Sequence, residues 1–304
     1  MTHISVLLAE AVEALAIQPS GLYVDGTFGR GGHSREILDR LGPEGRLVAF
    51  DRDPAAVEVA GSVAALDSRF TIVPRAFSGM GAWLRGEGLA GRVDGILLDL
   101  GVSSPQLDEP DRGFSFMQDG PLDMRMDPGS GLSAAQWLAE VDLDELTQVL
   151  RNYGEERHAR RIARHLVETR AERPMRRTRE LAERIREAVP GYERNKHPAT
   201  RCFQAIRIRV NGELDELQAV LDDVTDLLAP GGRLVVISFH SLEDRLVKRF
   251  IRAHSEPEKD FFGQPVGRPP LVRLGKPVRA GDDELGDNPR SRSAVMRVAQ
   301  RTGS

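Results

Sequence analysis

The sequence predicts an α/β protein in which a parallel sheet with flanking helices is interrupted by a long helical segment. Three observations support this class. A strand, a glycine-rich turn, a helix and a second strand follow one another between Leu22 and Asp51, which is the pattern of a βαβ unit. No strand-like alternation occurs from Leu107 to about Ala199, and a strong apolar strand then returns at Arg233–Phe239. We therefore expect the sheet to be built from two separate parts of the chain.

Helices and strands alternate before the interruption. Helical spacing of apolar residues predicts a first helix over Ile4–Leu15, and Asp53 followed by Pro54 predicts a capped helix start. Further helices are expected at Ser34–Leu41, Pro54–Leu66 and Met80–Leu89, with strands at Leu22–Val24, Arg46–Asp51, Phe70–Val73 and Val93–Leu100.

Helices dominate the interruption, and alternation resumes after it. The interrupting helices are expected at Ala134–Glu140, Leu143–Arg151, Glu155–Arg170 and Arg179–Val189. Later elements are helices at Phe203–Val210, Leu214–Leu228 and Ser241–His254, a turn at Pro230–Gly232, a strand at Arg233–Phe239, a long loop at Pro257–Asn288 with a short strand near Leu271–Leu274, and a final edge strand at Ser293–Val298. We divide the chain into a first sheet part at 1–106, a helical insert at 107–199 and a second sheet part at 200–304.

The composition is that of an ordinary globular protein. The chain has 304 residues, of which 40% are hydrophobic and 29% charged. Cys202 is the single cysteine, so an internal disulfide, a Cys/His zinc cluster and a Cys-x-x-Cys redox pair are excluded. We expect a cytoplasmic protein, because the sequence shows neither a secretory leader nor an apolar run long enough to span a membrane.

Positive charge is concentrated in the helical part. The net charge is -4, yet the segment Arg151–Arg209 contains 17 Lys and Arg against 8 Asp and Glu. Such an excess predicts a surface that binds a polyanion. The alternative is a solvated helical surface with Glu/Arg pairs at helical spacing.

The glycine-rich turn predicts a cofactor site. Gly26, Gly29, Gly31 and Gly32 allow close approach of the main chain to a ligand, and Asp51 follows where a carboxylate can accept both hydroxyls of a ribose. The alternative is a turn that only lets a helix pack on a strand. The turn departs from G-x-G-x-x-G, and Asp25 beside it would repel phosphate and attract an ammonium or sulfonium, which is typical of S-adenosylmethionine-dependent methyltransferases.

Two further strand ends are candidates for the same edge of the sheet. Asp99 ends the fourth strand and is followed by Ser103, Ser104 and Pro105, which offer hydrogen-bond acceptors on a proline-restricted backbone. Phe77 follows the third strand, where it can cover an adenine ring, although core packing explains it equally well.

Longer motifs resemble the MraW, or RsmH, family of ribosomal RNA small-subunit methyltransferases H. They are Asp25–His33, Asp99–Gln106, Arg112–Asp127, Tyr153–Glu156, His197–Phe203 and Ser238–Lys248, and the similarity covers nearly the whole chain. The resemblance implies a Rossmann-like class I methyltransferase with a seven-stranded, mostly parallel sheet interrupted by an all-helical substrate domain. It implies that S-adenosylmethionine contacts Gly31, Gly32, His33, Asp51, Phe77, Asp99 and Gln106.

The resemblance also implies a substrate, the N4 amine of a cytidine in the decoding region of bacterial small-subunit ribosomal RNA. We expect this RNA to lie within a ribosomal particle, and the sequence leaves open whether free RNA, a particle or the assembled subunit is the substrate. We assign catalysis to Asp99, Ser103, Ser104 and Pro105, the last three at the position of the Asp/Asn/Ser-Pro-Pro-aromatic motif of amino-methyltransferases. The second proline and the aromatic residue of that motif are missing here. The substrate candidates are Phe114 and Phe116 for base stacking, Arg176 and Arg177 for phosphates, and His197. Loop packing and surface solvation are the alternatives for these residues, and no metal is required.

Three other functions share parts of this pattern. A nicotinamide dehydrogenase would use the glycine turn and Asp51, and a non-catalytic RNA-binding assembly factor would need only the basic segment. A methyltransferase acting on DNA or protein is the nearest alternative, because a fold does not specify a substrate. The sequence leaves open whether the protein is a monomer or a homodimer.

Overall fold

The computed structural model describes residues 5–189 and 197–303, so Ile4, where the first predicted helix begins, lies outside the described residues. The helices are α1 (Leu8–Leu15), α2 (Gly32–Arg40), α3 (Pro54–Ala64), α4 (Met80–Gly86), α5 (Ser104–Asp108), α6 (Ala134–Glu140), α7 (Leu143–Asn152), α8 (Ala159–Thr169), α9 (Thr178–Ala188), α10 (Ala199–Asn211), α11 (Glu213–Leu227), α12 (Ser241–Ser255) and α13 (Asp282–Asp287). The strands are β1 (Leu22–Asp25), β2 (Arg46–Asp51), β3 (Phe70–Pro74), β4 (Val93–Asp99), β5 (Leu228–Ser238), β6 (Glu258–Lys259), β7 (Pro265–Val266), β8 (Leu271–Val278) and β9 (Val295–Arg301).

Seven strands form one sheet in the order β3-β2-β1-β4-β5-β9-β8. The strands β1 to β5 run parallel, whereas β9 is antiparallel to both β5 and β8. This confirms the predicted seven-stranded, mostly parallel sheet. The strand order reverses between β1 and β4, and ligands of such sheets bind beyond the carboxyl ends of the strands at this point.

Two local predictions near the end of the chain are wrong. The predicted turn at Pro230–Gly232 is an irregularity inside β5, because Val93 pairs with Leu228 and Gly95 already pairs with Arg233. The predicted edge strand is internal, since β9 pairs on both sides and β8 forms the edge. Apolar alternation identifies a strand, but it does not identify the neighbours of that strand.

The predicted long loop at Pro257–Asn288 also contains more structure than expected. It holds the short hairpin β6–β7, the full strand β8 and the helix α13. The strand β8 is mostly exposed, so its sequence lacks the apolar run that makes a buried strand recognisable.

The chain divides into two compact units, Met1–Gly101 with Leu214–Ser304, and Val102–Glu213. In the first unit neighbouring strand residues such as Leu47 and Val48 belong to two separate apolar clusters, as expected when both faces of a sheet are covered. The second unit is helical and has its own core, to which α10 contributes Phe203 and Ile206. The predicted division had assigned α10 to 200–304, but its apolar residues pack in this core. None of the described helices is long and apolar enough to span a bilayer.

Candidate active site

Three carboxylates lie at neighbouring strand ends of the first unit. Asp25, Asp51 and Asp99 are the last residues of β1, β2 and β4. Because β1 pairs in parallel with both β2 and β4, these ends lie at one edge of the sheet. The apolar runs of the sequence therefore located the edge correctly.

Asp25 stabilises the turn that follows β1. Its side chain is buried, with Oδ1 accepting a hydrogen bond from the Thr27 backbone N–H at 3.0 Å and Oδ2 accepting one from the Ser34 hydroxyl at 2.7 Å. Burial raises the pKa of Asp25. The sequence predicts that this carboxylate attracts a cationic group, but both of its oxygens accept hydrogen bonds from within the protein.

The glycines of the turn are required by backbone conformation and by packing. Gly29 and Gly31 have φ angles of 56° and 75°, in the left-handed region that favours glycine. A Cβ atom on Gly31 would lie 2.6 Å from the Phe28 ring, and one on Gly32 would lie 2.0 Å from the Ser5 hydroxyl. Close packing within the unit thus explains both residues, and a cofactor would contact their main chain.

Asp51 presents a carboxylate that the backbone holds in place. Its Oδ2 accepts from the Gly29 N–H at 2.8 Å and its Oδ1 accepts from the Asp53 N–H at 2.9 Å. Burial, with smaller contributions from the nearby carboxylates of Asp53 and Asp25, raises the pKa of Asp51 to about 6, although the two hydrogen bonds act to lower it. Each oxygen keeps a lone pair that can accept a hydroxyl group.

Asp99 has a buried oxygen atom without a hydrogen-bond partner. Its backbone N–H donates to the Thr27 hydroxyl at 2.7 Å, and its Oδ2 lies 3.7 Å from Nδ1 of the buried His33. Among the described residues, Oδ1 is covered but receives no hydrogen bond. Burial, together with the charges of Asp25 and Glu243, raises the pKa of Asp99 well above its usual value. Such an unsatisfied acceptor is costly for a fold, so it indicates a position where a ligand donates.

Phe77 lies close to the glycine-rich turn that follows β1. It begins a short 3-10 turn after β3 and packs partly buried against the core. A Cβ on Gly26 would lie 3.4 Å from the Cβ of Phe77, so the two residues are close. The structure thus contains the core contact, and contact with an adenine ring stays a prediction.

This edge fits S-adenosylmethionine. The fixed Asp51 carboxylate suits ribose hydroxyls, and the unpaired Asp99 oxygen suits an N–H donor of a cofactor or substrate. Several carboxylates at one edge favour a cationic cofactor over a pyrophosphate. This argues against the nicotinamide dehydrogenase considered from the sequence.

The polar residues after Asp99 belong to the second unit and cap a helix there. The Gln106 side-chain oxygen accepts from the Ser103 N–H at 3.0 Å, and the Ser103 side chain accepts from the Gln106 backbone in return. Pro105 lies in the first turn of α5. A capping box explains Ser103 and Gln106 structurally. The catalytic assignment of Ser103, Ser104 and Pro105 and the cofactor contact of Gln106 stay predictions.

The two predicted stacking residues differ in exposure. Phe114 is only 6% exposed, with the Arg112 guanidinium 5.8 Å from its ring centre. Phe116 is partly exposed, and its ring centre lies 4.7 Å from that of the exposed His197. Partial burial and the charge of Arg186 lower the pKa of His197, which favours its neutral ring. The rings of Phe116 and His197 are therefore accessible to a base that stacks on them, whereas the buried ring of Phe114 is not.

Sequence reasoning missed one member of this aromatic group. Phe203 packs edge-on against Phe116, with ring centres 4.9 Å apart. It is buried and sits on α10. The motif His197–Phe203 could have indicated this group, because it begins and ends with a ring-bearing residue and both rings contact Phe116.

Part of the positive charge in the second unit is already paired within the protein. Arg177 contacts Asp119 at 2.6 Å, whereas the adjacent Arg176 is exposed and forms no ion pair with a described acidic side chain. Other pairs join residues distant in sequence: Arg160 with Asp144, Arg173 with Glu187, and Arg209 with Glu145. Three of the charges counted in the sequence, Glu193, Arg194 and Lys196, lie outside the described residues. The surface available to a polyanion is thus smaller than the composition indicates.

Comparison with known proteins identifies the family of the chain. The model of the MraW methylase family matches residues 1–302. The chain is 62% identical over 304 residues, covering 98% of this chain and 97% of the relative, to the ribosomal RNA small subunit methyltransferase H of Thioalkalivibrio sulfidiphilus (strain HL-EbGR7).

Two solved structures show weaker similarity. An rRNA methylase from Streptococcus thermophilus is 8% identical, with a TM-score of 0.44 and coverage of 99% of this chain and 100% of that chain. A Streptococcus mutans structure in complex with SAH is 9% identical, with a TM-score of 0.43 and coverage of 98% and 99%. The family match over nearly the whole chain shows that the protein belongs to the MraW methylase family of S-adenosylmethionine-dependent methyltransferases.

Proposed function

We propose that this chain methylates the N4 amine of a cytidine in the decoding region of small-subunit ribosomal RNA. The relative named as a ribosomal RNA small subunit methyltransferase H supports the substrate, because 62% of the residues are identical. The buried, unpaired Oδ1 of Asp99 is the observation that supports the chemistry. It is an acceptor at the sheet edge where a methyl donor and an amine would meet.

The reaction makes a specific demand on the protein. Bound S-adenosylmethionine supplies a methyl group on a positively charged sulfur. An exocyclic cytosine amine is a weak nucleophile because its lone pair is delocalised into the ring. The protein must therefore accept an amine hydrogen and hold the nitrogen in line with the methyl group, and positioning of this kind can lower a barrier by several kcal/mol.

Asp99 meets this demand by accepting a hydrogen bond. Its Oδ1 is the proposed acceptor, and His33 together with the Thr27 hydroxyl holds the carboxylate and its backbone in place. A second candidate is that Asp99 takes the proton as a base, which its raised pKa favours. We prefer the positioning role, because the methylated amine is acidic and loses its proton with little help.

The cofactor contacts divide between side chains and main chain. Asp51 accepts the ribose hydroxyls, and Gly31 and Gly32 contact the cofactor through their backbone. His33, Phe77 and Gln106 complete the proposed set, with Phe77 beside the adenine ring. Gln106 is the weakest member, because its side chain already caps α5.

The helical unit is the proposed RNA-binding domain. A base-paired cytosine hides its amine, so the target base must leave the stack. Phe116 and His197 present partly exposed rings on which a splayed base can stack, and Arg176 is the proposed phosphate contact. We propose that the enzyme acts in the cytoplasm on a ribosomal particle.

Transfer of a labelled methyl group tests the function. The enzyme is incubated with labelled S-adenosylmethionine and either small-subunit particles, naked ribosomal RNA, DNA or protein, and labelled nucleosides are identified by mass. We expect labelled N4-methylcytidine from the wild type and from Asp39→Asn, which changes an exposed acid of the same unit. Asp99→Asn should form it roughly 100- to 1,000-fold more slowly. Label in DNA or protein alone, or RNA binding without any transfer, would contradict the proposal.

A further inference from the structure

Two large apolar rings are held in solvent at the tip of the hairpin β6–β7. Phe261 is 97% exposed and Phe262 is 82% exposed, and their ring centres lie 5.5 Å apart. The tip is a defined turn, because Asp260 Oδ1 accepts from the backbone N–H groups of Phe262 at 2.9 Å and Gln264 at 2.8 Å. Exposed aromatic residues on an ordered turn indicate an interaction site.

The hairpin arises from the border of a basic groove in the same unit. The groove encloses about 440 Å³ between α12 and the strands β8 and β9. The chain leaves its lining at Glu256, forms the hairpin and returns to the lining at Val272. The Thr302 hydroxyl donates to the carbonyl of Pro269 at 2.8 Å, which fixes the base of the hairpin against the end of β9.

Three cations of the groove are free to bind a ligand. Lys248, Arg273 and Lys276 line it, are exposed, and form no ion pair with the acidic side chains that the structure describes. Two other lining cations are already paired, Arg252 with Glu256 at 3.0 Å and Arg297 with Asp244 at 2.7 Å. The groove therefore has unneutralised positive charge on the unit that carries the two exposed rings, and the hairpin that bears the rings begins and ends at residues of its lining.

The edge strand β8 has features that oppose pairing with a further strand. Its register with β9 shifts between Leu274 and Val278, where Gly275 has a φ of 65° and is followed by Lys276 and Pro277. A bulge, a lysine and a proline on an edge strand oppose the addition of a further strand. Addition of a strand from a second copy of the chain or from an extended peptide is thus disfavoured at β8. The positive charge of the groove favours a polyanion as its ligand.

We propose that Phe261, Phe262, Lys248, Arg273 and Lys276 form an RNA-binding surface, the hairpin surface, which takes single-stranded RNA. The cations bind phosphates, and unstacked bases lie against the two rings. A duplex would not offer its base faces to the rings. The inference rests on the proposed function for its substrate class, and it adds an RNA contact on the unit that holds the sheet edge.

Binding of a labelled single-stranded oligoribonucleotide, and of the same sequence as a duplex, tests the hairpin surface across a salt series. We expect Phe261→Ser with Phe262→Ser to weaken single-strand binding by about tenfold or more, with little change for the duplex. Arg273→Gln with Lys276→Gln should make the dependence of log affinity on log salt shallower by roughly 1.4.

Matched controls come from the same unit. Leu66→Ser removes an apolar side chain that is 90% exposed, and Arg46→Gln with Arg92→Gln removes two exposed cations outside the groove. Neither control should change RNA binding. Wild-type affinity and salt dependence in both test variants would overturn the inference. A loss of self-association on light scattering in the phenylalanine variant, with RNA binding intact, would identify a second copy as the occupant and overturn it as well.

Methyl transfer by the wild type, measured on small-subunit particles in parallel, separates the two proposals. If the wild type methylates the particles and the variants bind RNA normally, only the hairpin surface is wrong. If the wild type transfers no methyl group but the variants lose RNA binding, the proposed reaction fails and the hairpin surface stands.

Discussion

The pKa values of acidic residues are shifted in opposite directions at the sheet edge of the first unit and in the helical unit. At the sheet edge of the first unit, burial raises the pKa of Asp51 and Asp99, and no arginine within 5–189 or 197–303 is paired with either one. In the helical unit a hydrogen bond from Arg177 lowers the pKa of Asp119. The first arrangement costs folding free energy that a bound ligand can offset, whereas the second is already satisfied within the protein. We therefore expect ligand binding to depend on the carboxylates of the sheet edge in the first unit and, in the second, on cations such as Arg176 that form no ion pair with a described acidic side chain.

The largest expected effect is at Asp99. Asp99→Asn keeps the shape but weakens the acceptor, and we expect the methyl transfer rate to fall by roughly 100- to 1,000-fold, as for other lost electrostatic contacts to a reacting group. Single-turnover transfer of labelled methyl to small-subunit particles measures this loss. Cofactor affinity that is reduced less than the rate would distinguish an acceptor in the reaction from a binding residue alone.

The same variant gives a stability control. The folded-state pKa of Asp99 is raised well above its ordinary value of 3.8, so the free-energy penalty is full above the folded-state pKa, shrinks as the pH falls below it, and is lost only when the pH drops below the ordinary value. Asp99→Asn should therefore unfold at a higher temperature than the wild type at alkaline pH, and the difference should shrink on acidification. A variant that is less stable than the wild type at all pH values would contradict the claim that the ionised Asp99 carboxylate destabilises the folded protein.

The next effect is on cofactor affinity through Asp51. Asp51→Ala removes an acceptor for two ribose hydroxyls, and we expect S-adenosylmethionine to bind about 10- to 100-fold more weakly in calorimetry. Because the pKa of Asp51 is about 6, wild-type affinity should fall as pH decreases through 6 and the carboxylate gains a proton. Asp51→Ala should lack that step. A step of equal size in the variant would assign the titration to another group.

A smaller effect separates Phe116 from Phe114. Phe116→Ala should weaken RNA binding by about 5- to 100-fold, the range for one lost base-stacking contact, without lowering cofactor affinity. Phe114→Ala should instead destabilise the helical unit by about 3–5 kcal/mol, because its ring is buried. Chemical denaturation and RNA titration of both variants check the contrast, which would be wrong if the two substitutions had the same profile.

The smallest effect distinguishes two adjacent arginines. Arg176→Gln should make the salt dependence of RNA binding shallower by about 0.7, the value for one phosphate contact on a single strand. Arg177→Gln should change it little, because Asp119 already neutralises that guanidinium. Equal slopes for the two variants would show that ion pairing in this unit does not decide which cations reach RNA.

The sequence located the sheet edge because its determinants are local. Apolar runs that end in Asp51 and Asp99 identify the ends of β2 and β4. The glycine-rich turn identifies the loop after β1, the strand that lies between β2 and β4 in the sheet. The role of Asp25 could not be predicted, because it depends on a hydroxyl from Ser34 in the next helix. The unpaired oxygen of Asp99 depends on what surrounds it in three dimensions, which no motif encodes.

Long-range packing explains the other differences. The apolar residues of α10 pack in the helical core rather than against the sheet, and β9 pairs between β5 and β8. Helical periodicity shows that α10 has an apolar face, but it does not show which surface covers that face. The same holds for Ser103 and Gln106, because their Ser-x-x-Gln pattern is compatible both with a catalytic motif and with the capping box that the structure contains.

The discontinuity of the sheet affects how the protein folds. During synthesis, β1 to β4 are completed before the helical unit, whereas β5 begins about 130 residues after the end of β4 and β9 about 200 residues after it. Until then β4, with its buried residues Ile96, Leu97 and Leu98, lacks its second neighbour. The helical unit is continuous in sequence and can collapse early through local contacts, whereas the sheet requires distant ones. The nascent chain therefore passes through a stage with an open apolar strand edge, when protection against aggregation matters most.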